Sequence, residues 1–129
     1  MSPHILIVED HQGVRQSLRE WLELSFPNYQ LLEAVSGEAA VTVAQTMSPH
    51  LVIMDIGLPG MNGIEAARGI KAAAPATRVV MLTIYDDEAH RAAADAAGVS
   101  AYVPKRKVQT ELLPILTRLL AEDKQGLPS

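Results

Sequence analysis

Residues 51–54, Leu-Val-Ile-Met, run without a polar side chain into Asp55 and then into a loop holding Gly57, Pro59, Gly60 and Gly63. A strand with one wet face alternates apolar and polar side chains. A run with no polar residue therefore belongs to a strand covered on both faces, as in a parallel sheet packed between helices. Asp55 then stands at the C-terminal end of that strand, the edge where open α/β sheets bind ligands. A turn-starting aspartate accounts for the residue equally well in isolation, so the rest of the chain must decide.

The same grammar recurs. Residues 5–8, Ile-Leu-Ile-Val, end in Glu9 and Asp10, and the spacing of Val14, Leu18, Trp21, Leu22 and Ser25 predicts a helix with Trp21 packed in the core, closed by Pro27 and Asn28. A second strand is expected over 30–35. Ser36 then caps a helix over 38–46 with Ala40, Val41, Ala44 and Met47 as its stripe, stopped by Ser48 and Pro49. After the third strand at 51–54, a helix over about residues 63–73 turns Ile64, Ala67 and Ile70 inward, with Pro75 beyond its end. Residues 78–83 make a fourth strand ending in Thr83, and Asp86 or Asp87 caps an alanine-rich helix that Gly98 ends. A short fifth strand at 100–103 precedes Lys105. The last helix carries Leu112, Ile115, Leu116 and Leu119 on one face, but Pro114 lacks an N–H and crowds the preceding turn, so this helix either begins late, near Thr110, or kinks.

Strands alternating with helices imply an α/β fold, a flavodoxin-like doubly wound five-stranded parallel sheet in the order 2-1-3-4-5 with five helices. Residues 1–121 form the single domain that 129 residues allow, and the polar stretch 122–129 reads as a disordered tail or the start of a linker. A net charge of −4 with dispersed Lys and Arg leaves no footprint for nucleic acid. The chain has no cysteine, so disulfides and thiolate metal sites are excluded, and neither a signal peptide nor a membrane span is legible. The expected location is the cytoplasm.

The C-terminal ends of the strands carry Glu9 and Asp10, Asp55, Thr83 and Lys105. In the order 2-1-3-4-5 strands one and three are neighbours at the switch point, which brings three carboxylates into one crevice. They repel unless a cation joins them, and Mg²⁺ suits a site with few carboxylates and room for phosphate oxygens. Three carboxylates against one ammonium leave two negative charges, the charge of one divalent ion. Such a site stabilises a phosphoryl group on Asp55 as nucleophile, with Lys105 and Thr83 contacting its oxygens.

With these residues the chain resembles the receiver domain of bacterial two-component response regulators. The likeness covers residues 3–121 and is carried by "ILIVEDH", "VIMDIGLPGMNGIE", "VVMLTIYDD" and "AGVSAYVPK", with "VEDH" and "LTIYDD" most similar to the LuxR-type branch. The resemblance implies that Asp55 accepts a phosphoryl group from a sensor histidine kinase. It further implies that Glu9, Asp10, Asp55 and the Gly57 carbonyl hold Mg²⁺, that Thr83 and Lys105 contact the phosphoryl group, and that the Tyr102 ring follows Thr83 in switching. The implied partners are the kinase, a second copy of the chain on phosphorylation, and DNA only through a separate output domain in transcription regulation. Such a domain is a phosphoacceptor with at most weak autophosphatase activity rather than a metabolic enzyme.

Two positions depart from the family pattern. Pro104 precedes Lys105 and Arg106 follows it where many receivers have proline, and Ile84 is bulky where a small residue is usual. The latter is expected to restrict access of water to a phosphorylated Asp55. Two other readings compete: a receiver-like module that binds partners without phosphorylation, and a phosphohydrolase similar to the haloacid dehalogenases. The second needs an acid/base aspartate two residues after the nucleophile, where this chain has Gly57.

Overall fold

The structure is a computed structural model that describes residues 3–84 and 87–126, with side chains through residue 121. Five strands, β1 (His4–Val8), β2 (Gln30–Ala34), β3 (Leu51–Asp55), β4 (Arg78–Thr83) and β5 (Ala101–Pro104), form one sheet in the order β2-β1-β3-β4-β5. All four pairings are parallel. The helices are α1 (Gln12–Ser25), α2 (Gly37–Met47), α3 (Gly63–Ala73), α4 (Glu88–Ala96) and α5 (Leu113–Gly126). Part of the stretch expected as a tail is thus helical backbone, and residues 127–129 lie outside the described residues.

The apolar runs are divided between two cores by the two-residue period of a strand. Ile5, Ile7, Leu51, Ile53, Val80 and Leu82 pack with Leu18 and Leu22 of α1 and Leu116 and Leu119 of α5. Leu6, Val8, Val52, Met54, Val79 and Met81 face the other way, onto Ala40 and Ala44 of α2, Ala67 and Ile70 of α3 and Ala94 of α4. Ile5, Ile7, Ile53 and Ile70 are wholly buried, each stabilising the fold by about 1.5–3 kcal/mol through the apolar surface it removes from water. Small residues on α2 and α3 let those helices lie close together and close to the sheet.

The helix starts follow local chemistry. Ser36 Oγ accepts from Ala39 N at 3.1 Å and Asp87 Oδ1 from His90 N at 2.8 Å; Asp86, the alternative cap for α4, lies outside the described residues. Asn62 caps α3 by accepting from Glu65 N, and its amide donates back to the Glu65 carboxylate, both at 2.9 Å. A 3₁₀ turn at Lys105–Lys107 and a π turn at Val108–Leu112 precede α5. The widened turn sits directly before Pro114, whose ring crowds the preceding turn of a regular helix, so the helix begins at Leu113, three residues later than Thr110. Among the described residues no helix is long and apolar enough to cross a membrane.

Two residues placed on inward stripes need correction, since Val14 is 39% and Met47 44% exposed. Trp21 is half-buried and does pack against the core of α1 and α5. Val14 and Trp21 also line a surface groove of about 680 Å³ between α1 and the β5–α5 connection, together with Leu18 and Val108. Helical spacing marks the apolar stripe, but it does not say that the connection leaves part of that stripe uncovered.

Candidate functional site

β1 and β3 are hydrogen-bonded neighbours, and their C-terminal ends bring Glu9, Asp10 and Asp55 together with one carboxylate oxygen from each within 4.8 Å of the others. Asp55 is buried. Its Oδ1 accepts from the N–H of Gly57 at 3.0 Å and its Oδ2 accepts from Lys105 Nζ at 2.9 Å. Glu9 is 3% exposed, with Oε1 accepting from His11 N at 3.2 Å and Oε2 lying 3.7 Å from Lys105 Nζ. That Oε2 is buried and accepts no hydrogen bond. Asp10, by contrast, is exposed.

Burial pushes the Glu9 carboxyl above its ordinary value; Asp55 and Asp10 push the same way, against the His11 N–H and the Lys105 charge. For Lys105 desolvation favours the neutral amine, but the hydrogen bond and charge of Asp55, joined by Glu9, outweigh it and raise the ammonium above its usual value. Lys105 is reached through Pro104, the last residue of the edge strand β5, paired in register with Thr83. An edge strand tolerates proline there. The proline before the lysine does not carry Nζ away from Asp55.

Thr83 ends β4 fully buried, and the next residue, Ile84, is 73% exposed. Tyr102 is half-buried and packs on the α2–α3–α4 side of the sheet, in register with Met81. Strand alternation puts Thr83 on the Met81 side, so Thr83 and Tyr102 share a face two register steps apart. The Arg91 guanidinium carbon of α4 stands 4.8 Å from the centre of the Tyr102 ring, within range of a cation–π contact.

The arrangement suits a hard divalent cation. Opposite oxygen ligands of Mg²⁺ stand about 4 Å apart, so oxygens already within 4.8 Å need to draw in by only a fraction of that distance. The bare lone pairs of the buried Glu9 Oε2 are an independent reason to expect a cation, since a buried acceptor without a donor is costly.

Sequence reasoning overlooked Arg15. Its Nη1 donates to the backbone carbonyl of Glu9 at 2.9 Å and its Nε to Glu33 Oε1 at 2.8 Å; Arg19 Nη1 reaches the other oxygen of Glu33 at 2.7 Å. The available signal was two arginines four residues apart on α1 beside β2, whose only charged residue is Glu33.

Residues 5–117 match the family model of the response regulator receiver domain. The response regulator MprA of Mycobacterium bovis is 32% identical over 124 residues, covering 96% of this chain and 53% of MprA. The transcriptional regulatory protein DegU of Brevibacillus brevis is 32% identical over 102 residues, 78% of this chain and 43% of DegU. The chain thus spans about half the length of these relatives. Among solved structures, a LuxR-family two-component response regulator from Aurantimonas sp. SI85-9A1 superposes with a TM-score of 0.86 at 33% identity, covering 95% of this chain and 87% of that one.

Proposed function

The chain belongs to the response regulator receiver domain family, and from that premise we propose that it is a switch in which Asp55 takes a phosphoryl group from a sensor histidine kinase. The observation that carries this reading is the Asp55 carboxylate, hydrogen-bonded to Lys105 Nζ at 2.9 Å beside the carboxylates of Glu9 and Asp10. An Asp55 carboxylate oxygen attacks phosphorus as the N–P bond of the phosphohistidine breaks, and the bonding pair leaves with the imidazole nitrogen. Lys105 neutralises charge on the transferred group, and Thr83 donates its hydroxyl to another of its oxygens. Glu9, Asp10, Asp55 and the Gly57 carbonyl are the ligands we assign to Mg²⁺, which supplies compensating charge for the phosphoryl oxygens when bound.

The Thr83 hydroxyl and the Tyr102 ring, on one sheet face, are the two-state element that carries the change to the face formed by α4, β5 and α5. Ile84, whose exposure leaves its side chain free of the core, shields the phosphorus from water. The output is transcriptional control, exerted on DNA through a separate domain in the cytoplasm and accompanied by pairing with a second copy of the chain. MprA and DegU, of which this chain covers about half, support that reading.

Incubation with acetyl phosphate and Mg²⁺, read by intact mass, tests the assignment. A single phosphoryl adduct is expected, abolished by chelator and by Asp55→Asn. An adduct that survives either change refutes it.

A further inference from the structure

Asp10 and Glu9 differ in how they are held. The Glu9 side chain is buried and anchored by the His11 N–H, whereas Asp10 is exposed. What aims Asp10 at the cluster is the backbone that carries it, above all the peptide joining Glu9 to Asp10. The residue before that peptide is anchored to the sheet, since Glu9 N donates to Ala34 O at 3.1 Å. The carbonyl of the peptide itself is held by Arg15 Nη1 at 2.9 Å, and Arg15 is in turn held by Glu33 of β2. The Arg15 side chain is 15% exposed, well tucked in for an arginine.

We infer that Arg15 is a positioning residue for the metal site: by gripping the Glu9 carbonyl it sets the plane of the Glu9–Asp10 peptide and so the direction in which Asp10 presents its carboxylate. The inference rests on the reading of Glu9, Asp10 and Asp55 as an Mg²⁺ site. Groups that orient metal ligands without touching the metal commonly govern affinity by about 10–100-fold. Arg15 makes one such contact on one of three carboxylate ligands, which places its effect at the lower end of that range.

Two roles for Arg15 give opposite signs. As a mere positive charge near the site it repels Mg²⁺, and its removal tightens binding. As the clamp on the carbonyl it supports binding, and its removal weakens it. Arg19 supplies the internal control, because it pairs with the same Glu33 carboxylate at 2.7 Å and carries the same charge, while its described hydrogen bonds go to Glu23 and Glu33.

The test is the Mg²⁺ dissociation constant of the full chain, measured by amide shift titration at Asp10, Asp55 and Gly57. The variants are Arg15→Met, Arg15→Lys and Arg19→Met. Arg15→Met is expected to bind about ten-fold more weakly and to show a displaced Asp10 amide signal before metal is added. Arg19→Met should bind as the parent does or slightly more tightly. Arg15→Lys keeps the charge but cannot reach both Glu9 and Glu33 with a planar fork, so it too should bind more weakly; it carries the test alone if Arg15→Met does not fold. Parent-like or tighter binding in the folded Arg15 variants overturns the inference while leaving the metal site standing. A parent protein whose amides at the cluster ignore Mg²⁺ overturns both.

Discussion

Replacing Glu9 by Gln should make the metal-free protein more stable and its response to Mg²⁺ weaker. With an effective dielectric of about 20, the attraction of Glu9 to Lys105 at 3.7 Å is worth about 4 kcal/mol, and the repulsion from Asp55 and Asp10, each within 4.8 Å, about 3 kcal/mol or more apiece. The balance is repulsive by about 2 kcal/mol, and the exposure of Asp10 trims it to about 1 kcal/mol by screening its share. Glutamine also replaces a buried carboxylate with a neutral amide that costs less to desolvate, worth about another 1 kcal/mol. The expected gain is therefore about 1–2 kcal/mol, or about 4–8 °C in Tm for a domain of this size.

The assay is thermal unfolding with chelator and with Mg²⁺. At ten times its dissociation constant the metal should raise parent stability by about 1.4 kcal/mol, and the variant, one ligand charge short, should gain less, so the gap between the two closes. pH supplies a second reading. The Glu9 carboxyl in the native state titrates above its ordinary 4.5, so between the two values the native state keeps a proton that the unfolded chain has lost. Stability contributed by Glu9 then falls as pH rises through that window. The advantage of Glu9→Gln is absent below the window and complete above it. A metal-free variant that melts at or below the parent, or an undiminished gain from Mg²⁺, refutes the reasoning.

The alkaline side carries the opposite group: Lys105 is raised above 10.5, so its contribution is complete below that value and lost as pH climbs through the native one, and Lys105→Met should flatten this limb of the stability profile. Gly63→Ala places a Cβ 2.7 Å from both Asp55 O and Ile56 Cα, backbone atoms that cannot step aside, so unfolding in urea should show a loss of about 1–3 kcal/mol; parent-like stability counts against so tight an approach of α3 to β3. Ile84→Ala should speed loss of the phosphoryl group at saturating Mg²⁺, and an equal or slower rate removes the shielding role from Ile84. Thr83→Ala should still be phosphorylated yet lose most of the amide shift response around Tyr102, and shifts as large as in the parent rule out the coupling.

The sheet was legible because its signal is one-dimensional. Residues 51–54 and 5–8 can be read as strands from their own side chains, and the residue that ends each strand follows by counting. Glu9, Asp55, Thr83 and Lys105 could thus be placed on one edge before any contact was known. What escaped depends on neighbours far along the chain. Val14 lies on the same apolar stripe as Leu18 and Leu22, but its cover would have to come from the β5–α5 connection, which leaves a groove. The grip of Arg15 needs α1 to lie against β2, bringing Glu33 from eighteen residues away. The contrast between buried Glu9 and exposed Asp10 also needs the structure, since adjacent carboxylates look alike in sequence.

That contrast bears on how such an edge responds to phosphorylation. A phosphoryl group on Asp55 turns one negative charge into about two, so a cluster brought to neutrality by a divalent ion and Lys105 acquires about one uncompensated charge. Lys105 already donates to Asp55 and lies close to Glu9, which leaves little of its charge in reserve. On the proposed function the additional stabilisation comes from a neutral donor, and buried Thr83 ends the strand adjacent to Asp55. Drawing its hydroxyl toward the phosphoryl group would take it from the sheet face it shares with the half-buried Tyr102 ring, which stands against Arg91. On that proposed function, the switch would then be a consequence of charge balance at the strand ends, transmitted through two register steps of a parallel sheet.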